Sequence, residues 1–136
     1  MRIVLDTNVL VSGLLNPRGS PGRIVDLMLA GDVDLAVDDR ILDEYLEVLS
    51  RREFGFEPKD IESLIAVIVA TAVHVQAAPL ENPLPDRDDE AFLEVALAAE
   101  VKALVTGNLR HFPAHLRCGV QVVSPAQFLA SLPSKR

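Results

Sequence analysis

Three acidic residues stand where carboxylates commonly do chemistry. Asp6 directly follows Ile3-Val4-Leu5, a run that reads as a buried strand. Open parallel sheets place functional groups beyond the carboxyl ends of their strands. The competing reading of Asp6 is a turn former or helix cap, because Thr7 and Asn8 also suit a turn. Glu44 is picked out by helix rotation. At about 100° per residue, the apolar set Ile41, Leu42, Tyr45, Leu46, Val48 and Leu49 leaves Glu44 roughly 120° from its centre, Asp43 about 140° and Glu47 about 180°. Glu44 is therefore nearest the rim where a helix face leaves the core. The margin over Asp43 is narrow, and an ordinary solvated charge competes. Asp89 is the sharpest case: the same rotation puts it within about 15° of the centre of the face made by Phe92, Leu93, Val95, Ala96 and Leu97, with Glu90 and Glu94 pointing away. A carboxylate turned inward is costly without a partner, although a first helical turn favours an anion. Capping by Asp86, Asp88 or Asp89 is the competing reading.

Carboxylates gathered in one cleft repel one another, and a hard divalent cation relieves that repulsion. Oxygen-only donors suit Mg²⁺ or Mn²⁺. Beside a strand tip, such an ion would serve phosphate-ester chemistry by activating water and neutralising developing charge. A zinc site finds little support: His111 and His115 are four apart, but Pro113 between them breaks the helix that would align them. Cys118 is the one cysteine and has no partner for an internal disulfide, so it reads as a small semi-buried residue of a reducing compartment. Ser12 has no neighbouring base to make it a nucleophile.

The elements that must position these groups alternate. Strands are expected over residues 2–5, 33–37, 73–76, 103–106 and 120–123. Helices are expected over 21–30, from Asp38 or Asp39 as cap to about Arg52, over 58–71, over 88–100, and after Ser124 with Pro125 in first position. Residues 16–22 and 81–87 read as loops. This pattern predicts an α/β fold with a mainly parallel sheet in a single domain spanning residues 1–136, with a frayed tail over about 131–136. The chain has no Trp and few aromatics, which predicts an aliphatic core. The net charge of −7 argues against simple non-specific nucleic-acid binding through a basic face. Bound metal would reverse the sign locally. The apolar start is cut short by Asp6, and the longest later apolar stretch, 61–75, is interrupted by polar residues. Neither a targeting peptide nor a membrane span is expected, so a soluble cytoplasmic protein is.

The segments Ile3–Leu10, Asp86–Ala96 and Leu104–Asn108, taken together, resemble the motifs of PIN-domain nucleases. Ile3-Val4-Leu5-Asp6-Thr7-Asn8-Val9-Leu10 resembles the opening strand. Asp86-Arg87-Asp88-Asp89-Glu90-Ala91-Phe92-Leu93-Glu94-Val95-Ala96 is similar to the third acidic motif. Leu104-Val105-Thr106-Gly107-Asn108, with His111-Phe112 following, is similar to the fourth. Glu44 falls where the family carries its second acid. The resemblance covers nearly the whole chain in order. It implies a PIN-like three-layer α/β/α fold, Mg²⁺- or Mn²⁺-dependent endoribonuclease activity on RNA at Asp6, Glu44 and Asp89, and a toxin of a bacterial toxin–antitoxin pair. One departure is Asn108, where the family often has Asp. Its amide oxygen is a fourth, uncharged candidate ligand. Asn8 and Thr106 would orient ligands or substrate, or else serve only the strand ends. Arg18, Arg23 and Arg110 are either phosphate contacts or ordinary surface charges.

Two other functions compete. A haloacid-dehalogenase-type phosphatase would need an Asp two residues after its nucleophile and a Lys near a strand end. Here those positions offer Asn8, and Lys102 ahead of its strand. A PIN-like module that binds RNA or a partner without cutting would fit Asn108 and the acidic charge. Partners follow from two helices. Ile24, Val25, Leu27, Met28 and Leu29 nearly encircle 21–30, and Ile61, Leu64, Ile65, Val67, Ile68 and Val69 do the same on 58–71. A helix apolar nearly all round is buried or paired. With the resemblance, this implies a homodimer and a small antitoxin that closes the cleft with a basic side chain. Burial of both helices against the sheet is the alternative.

Overall fold

Ile3, Val4 and Leu5 form β1 (Arg2–Leu5) and have no exposed surface, as a strand covered on both faces requires. The computed structural model describes residues 1–133. Four more strands follow: β2 (Asp34–Val37), β3 (Val73–His74), β4 (Ala103–Val105) and β5 (Val122–Val123). They pair in the order β3-β2-β1-β4-β5, and every pairing is parallel. The expected mainly parallel sheet is thus parallel throughout. Ile3 is level with both Leu35 and Ala103, and Leu5 with Val105. The chain runs outward from β1 to β2 and β3, then returns to add β4 on the other side of β1. The tips of β1 and β4 therefore flank the point where strand order reverses, the place such sheets reserve for sites.

Among the described residues, six helices surround the sheet: α1 (Thr7–Leu15), α2 (Ser20–Leu29), α3 (Asp39–Leu49), α4 (Pro58–Thr71), α5 (Glu90–Ala98) and α6 (Pro125–Ala130). The α/β/α fold expected from the sequence is the one found. Asp38 caps α3 by accepting the Ile41 amide proton, and Ser124 and Gln127 form a capping box on α6. The sequence reading missed α1. Its Thr7-Asn8 start looked like a turn, but the helix begins immediately after Asp6. Gly13 lets α1 lie close on α2, since a Cβ there would meet Val25 Cγ2 at 2.7 Å and the Pro21 carbonyl oxygen at 2.8 Å.

Several local expectations are corrected. The core is not simply aliphatic: Tyr45, Phe92, Phe112 and Phe128 are its largest fully buried side chains, because four rings fill volume that short aliphatics cannot. Glu94 is buried rather than outward-facing. Chain outside the sheet covers that side of α5, where Glu94 takes Arg40 (2.7 Å) and the Leu80 amide (3.1 Å) as partners. Leu97, assigned to the buried face, is over a third exposed. Cys118 is exposed, on a turn with positive φ. Only Ile61 and Ile68 of α4 are buried, and Leu29, Val67 and Val69 lie at the surface. The frayed tail expected over 131–136 falls from 134 onward outside the described residues. Before that point, the Ser131 hydroxyl donates to the Phe128 carbonyl (2.6 Å) and Leu132 packs on the core.

Candidate functional site

The strand order sets the first part of the site. Asp6 and Thr106 leave adjacent strands, and the Thr106 hydroxyl donates to Asp6 Oδ2 at 2.7 Å. Both residues are buried. The Asn108 amide donates to Thr106 Oγ1 (3.0 Å), and the Gly107 amide to Asn8 Oδ1 (3.3 Å), which ties the two strand tips together. Asp6 starts α1 but gives that helix no side-chain cap. Its carboxylate faces the strand ends instead.

Helix α3 delivers the second acid. The Tyr45 hydroxyl donates to the Leu5 carbonyl, fixing α3 against the end of β1. Glu44, one residue earlier, is half-buried and accepts a hydrogen bond from the Thr7 hydroxyl, whereas Asp43 and Glu47 are exposed. The third acid ends a 3₁₀ turn, Arg87–Asp89, which leads into α5. Asp86 caps that turn through the Asp88 amide (2.9 Å), leaving Asp89 without a capping role. Asp89 is 8% exposed, and its Oδ2 is buried with no hydrogen bond. His111 Nδ1 lies 3.0 Å from that oxygen, a charge contact whose direction does not make a hydrogen bond.

Asp6, Glu44 and Asp89 line one open cleft of about 470 Å³, together with Asn8 and His111. Each of the three holds its proton more tightly than usual. Burial raises Asp6, against the hydrogen bond from Thr106. Burial raises Glu44, and the charges of Asp6 and Asp88 add to it. Burial and the charges of Asp6, Asp86 and Glu44 lift Asp89 to about 6, with His111 opposing. Among the described residues, no three His, Cys, Asp or Glu side chains are closed up as a ready metal cage. The carboxylates face a common space and do not yet touch a common point.

Asn108 is not brought to the cleft lining; what it supplies is a backbone amide for Thr106. Arg18, Arg23 and Arg110 are absent from the lining too, and Arg51 is present. His111 and His115 sit on separate 3₁₀ turns, Leu109–His111 and Ala114–Leu116. The sequence reading missed Thr7 and the contact of His111 with Asp89. Their only signals were the position of Thr7 beside Asp6 and of His111 three residues after Asn108.

Residues 2–110 match the model of a family described as PIN domain. An uncharacterized protein of Methanocaldococcus jannaschii is 30% identical over 112 residues, covering 79% of this chain and 71% of that protein. A structure described as VapBC2 from Rickettsia felis, bound to a DNA fragment from their promoter, superposes with a TM-score of 0.60 at 16% identity. That alignment covers 91% of this chain and 98% of the other, and it shows likeness of fold. All three carboxylates, their strand tips and the switch point between β1 and β4 fall inside the matched residues, and the chain belongs to the PIN domain family.

Proposed function

We propose that the protein is a metal-dependent endoribonuclease acting through Asp6, Glu44 and Asp89, and that it is the toxin of a toxin–antitoxin pair. One observation carries the catalytic reading: three carboxylates from β1, α3 and the turn before α5 face one cleft with their charged forms disfavoured. Clustered, protonation-prone carboxylates mark functional sites, and a divalent ion would relieve their cost. The buried, unbonded Oδ2 of Asp89 fits such an ion, as does the all-oxygen donor set. Asp6, Asp89 and Glu44 would hold Mg²⁺ or Mn²⁺, which when bound lowers the pKa of water and neutralises charge at a phosphodiester.

The chain's own groups do the rest. The Thr106 hydroxyl holds Asp6 in one orientation, the Thr7 hydroxyl does the same for Glu44, and His111 balances the charge of Asp89. Asn8, spanning the two strand tips, orients substrate. The test is cleavage of single-stranded RNA in Mg²⁺ or Mn²⁺. Asp6→Asn and Asp89→Asn should each lower the rate at least roughly a hundredfold. Wild-type cleavage by purified Asp89→Asn protein would reject the assignment.

The toxin reading rests on the likeness to the VapBC2 fold and carries a small antitoxin as partner. Production of the wild-type chain should arrest growth, and production of Asp89→Asn should not. The exposed Leu29, Val67 and Val69 favour a homodimer through α2 and α4. Light scattering at low micromolar concentration should show a dimer, with Leu64→Glu shifting it to monomer. Asn108 and the acidic net charge favour a second reading, a module that binds without cutting. Metal binding with no cleavage of any RNA would select it.

A further inference from the structure

The cleft has two chemically different sides. Its acidic floor is Asp6, Glu44 and Asp89, while Val11, Leu15, Val48 and Phe54 form an apolar wall. Leu15 is 54% exposed and extends that wall to the rim of the cleft. Phe54 closes the 3₁₀ turn Arg52–Phe54 directly after α3. Gly55 then takes the left-handed conformation (φ 68°), folding the chain back so that Phe56 stacks on Phe54 with ring centroids 6.1 Å apart and planes 26° apart. Both rings are only half-buried. Arg51 lines the same cleft, about half exposed and held at the rim by Glu47 one turn back (3.1 Å), and Arg52 beside it is exposed.

A stack of rings with arginines beside it, at the mouth of a site built for phosphate chemistry, is what a single-stranded nucleic acid requires. Every base offers a flat apolar face, and each flanking phosphate needs a cation. We propose that Phe54, backed by Phe56 and bordered by Leu15, is a stacking platform for an unpaired nucleobase next to the scissile phosphate, with Arg51 meeting a neighbouring phosphate. This rests on the nuclease reading above and narrows it: the preferred substrate is a strand whose bases are free to splay out, since a base held in a duplex cannot reach the ring. Arg51 and Arg52 place cations at and beside the cleft of a chain whose net charge is −7.

The experiment uses the full chain with Mg²⁺ and a single-stranded oligoribonucleotide carrying 2-aminopurine at successive positions. Its fluorescence is followed on rapid mixing, before cleavage, and the chain has no Trp to interfere. The wild type should quench the label at one position beside the cut. Phe54→Leu keeps apolar packing but removes the ring. It should abolish that quenching and raise KM roughly fivefold to a hundredfold, the scale of one base–aromatic stack, with kcat within about twofold. Phe54→Tyr, which keeps a ring without adding an indole, should restore both. RNA cleavage by the wild type with no quenched position overturns the platform and leaves the nuclease standing, a result that needs no variant. Equal quenching by Phe54→Leu, or a changed oligomeric state with unchanged quenching, also overturns it and marks a protein-facing surface. An RNA neither bound nor cut removes both readings.

Discussion

Replacing Asp89 with Asn keeps the shape of a buried side chain and removes a charge that the fold disfavours. In the folded protein this carboxyl titrates near about 6 against an ordinary 3.8, with burial the main cause. Each pKa unit corresponds to about 1.4 kcal/mol, so the charged form costs up to about 3 kcal/mol in the native state at neutral pH. Between pH 3.8 and about 6 the folded state binds more protons than the unfolded state. Wild-type stability from this group therefore falls as pH rises through that window and is flat above it. Asp89→Asn escapes the penalty. In a chelator it should melt roughly 3–10 °C above wild type at pH 7, given about 3 °C per kcal/mol for a domain of this size, and level with it near pH 3.5. Mg²⁺ at about 1,000 times its Kd should reverse the order, because it stabilises the wild type by about 4.1 kcal/mol and the variant lacks a ligand. Thermal scans across pH, with and without Mg²⁺, read all of this. A metal-free Asp89→Asn protein that is less stable than wild type at pH 7, or a difference that does not change with pH, would refute the electrostatic account.

The same logic applies to Asp6→Asn, which should raise the metal-free melting temperature and lose the stabilisation by Mg²⁺; equal metal stabilisation in both proteins would move the site elsewhere. Thr106→Val is near-isosteric but takes one donor from the buried Asp6 carboxylate and the acceptor from the Asn108 amide, and should cost about 1–3 kcal/mol in denaturant titration. Arg40→Ala removes the cation from buried Glu94, which keeps only the Leu80 amide. Because Arg40 is itself half exposed, the loss should be about 1–2 kcal/mol, and a double-mutant cycle with Glu94→Gln should show coupling.

Much was legible along the chain because it depends on neighbours in sequence. The run Ile3-Val4-Leu5 sets a doubly buried strand, Pro58 opens a helix that ends at Thr71 as its apolar spacing requires, and rotation about α3 puts Glu44 at the rim ahead of Asp43. The alternation of strand and helix was enough for the fold class. Helix α1 escaped because Thr7-Asn8 is as good a turn as a helix start, and only packing against α2 through Gly13 decides between them. Glu94 escaped because periodicity describes one buried face, whereas α5 is covered on a second side by chain distant in sequence. The site itself is tertiary. That Thr106 would meet Asp6 and that His111 would lie beside Asp89 follows from strand order β3-β2-β1-β4-β5, and that Phe54 would share a cleft with all three acids follows from the docking of α3 on the end of β1 through Tyr45. Strand order is set by long-range pairing and crossover geometry, while residue spacing carries only the local period: the sequence could mark which residues end strands and edge helices, but not which of those ends would be neighbours.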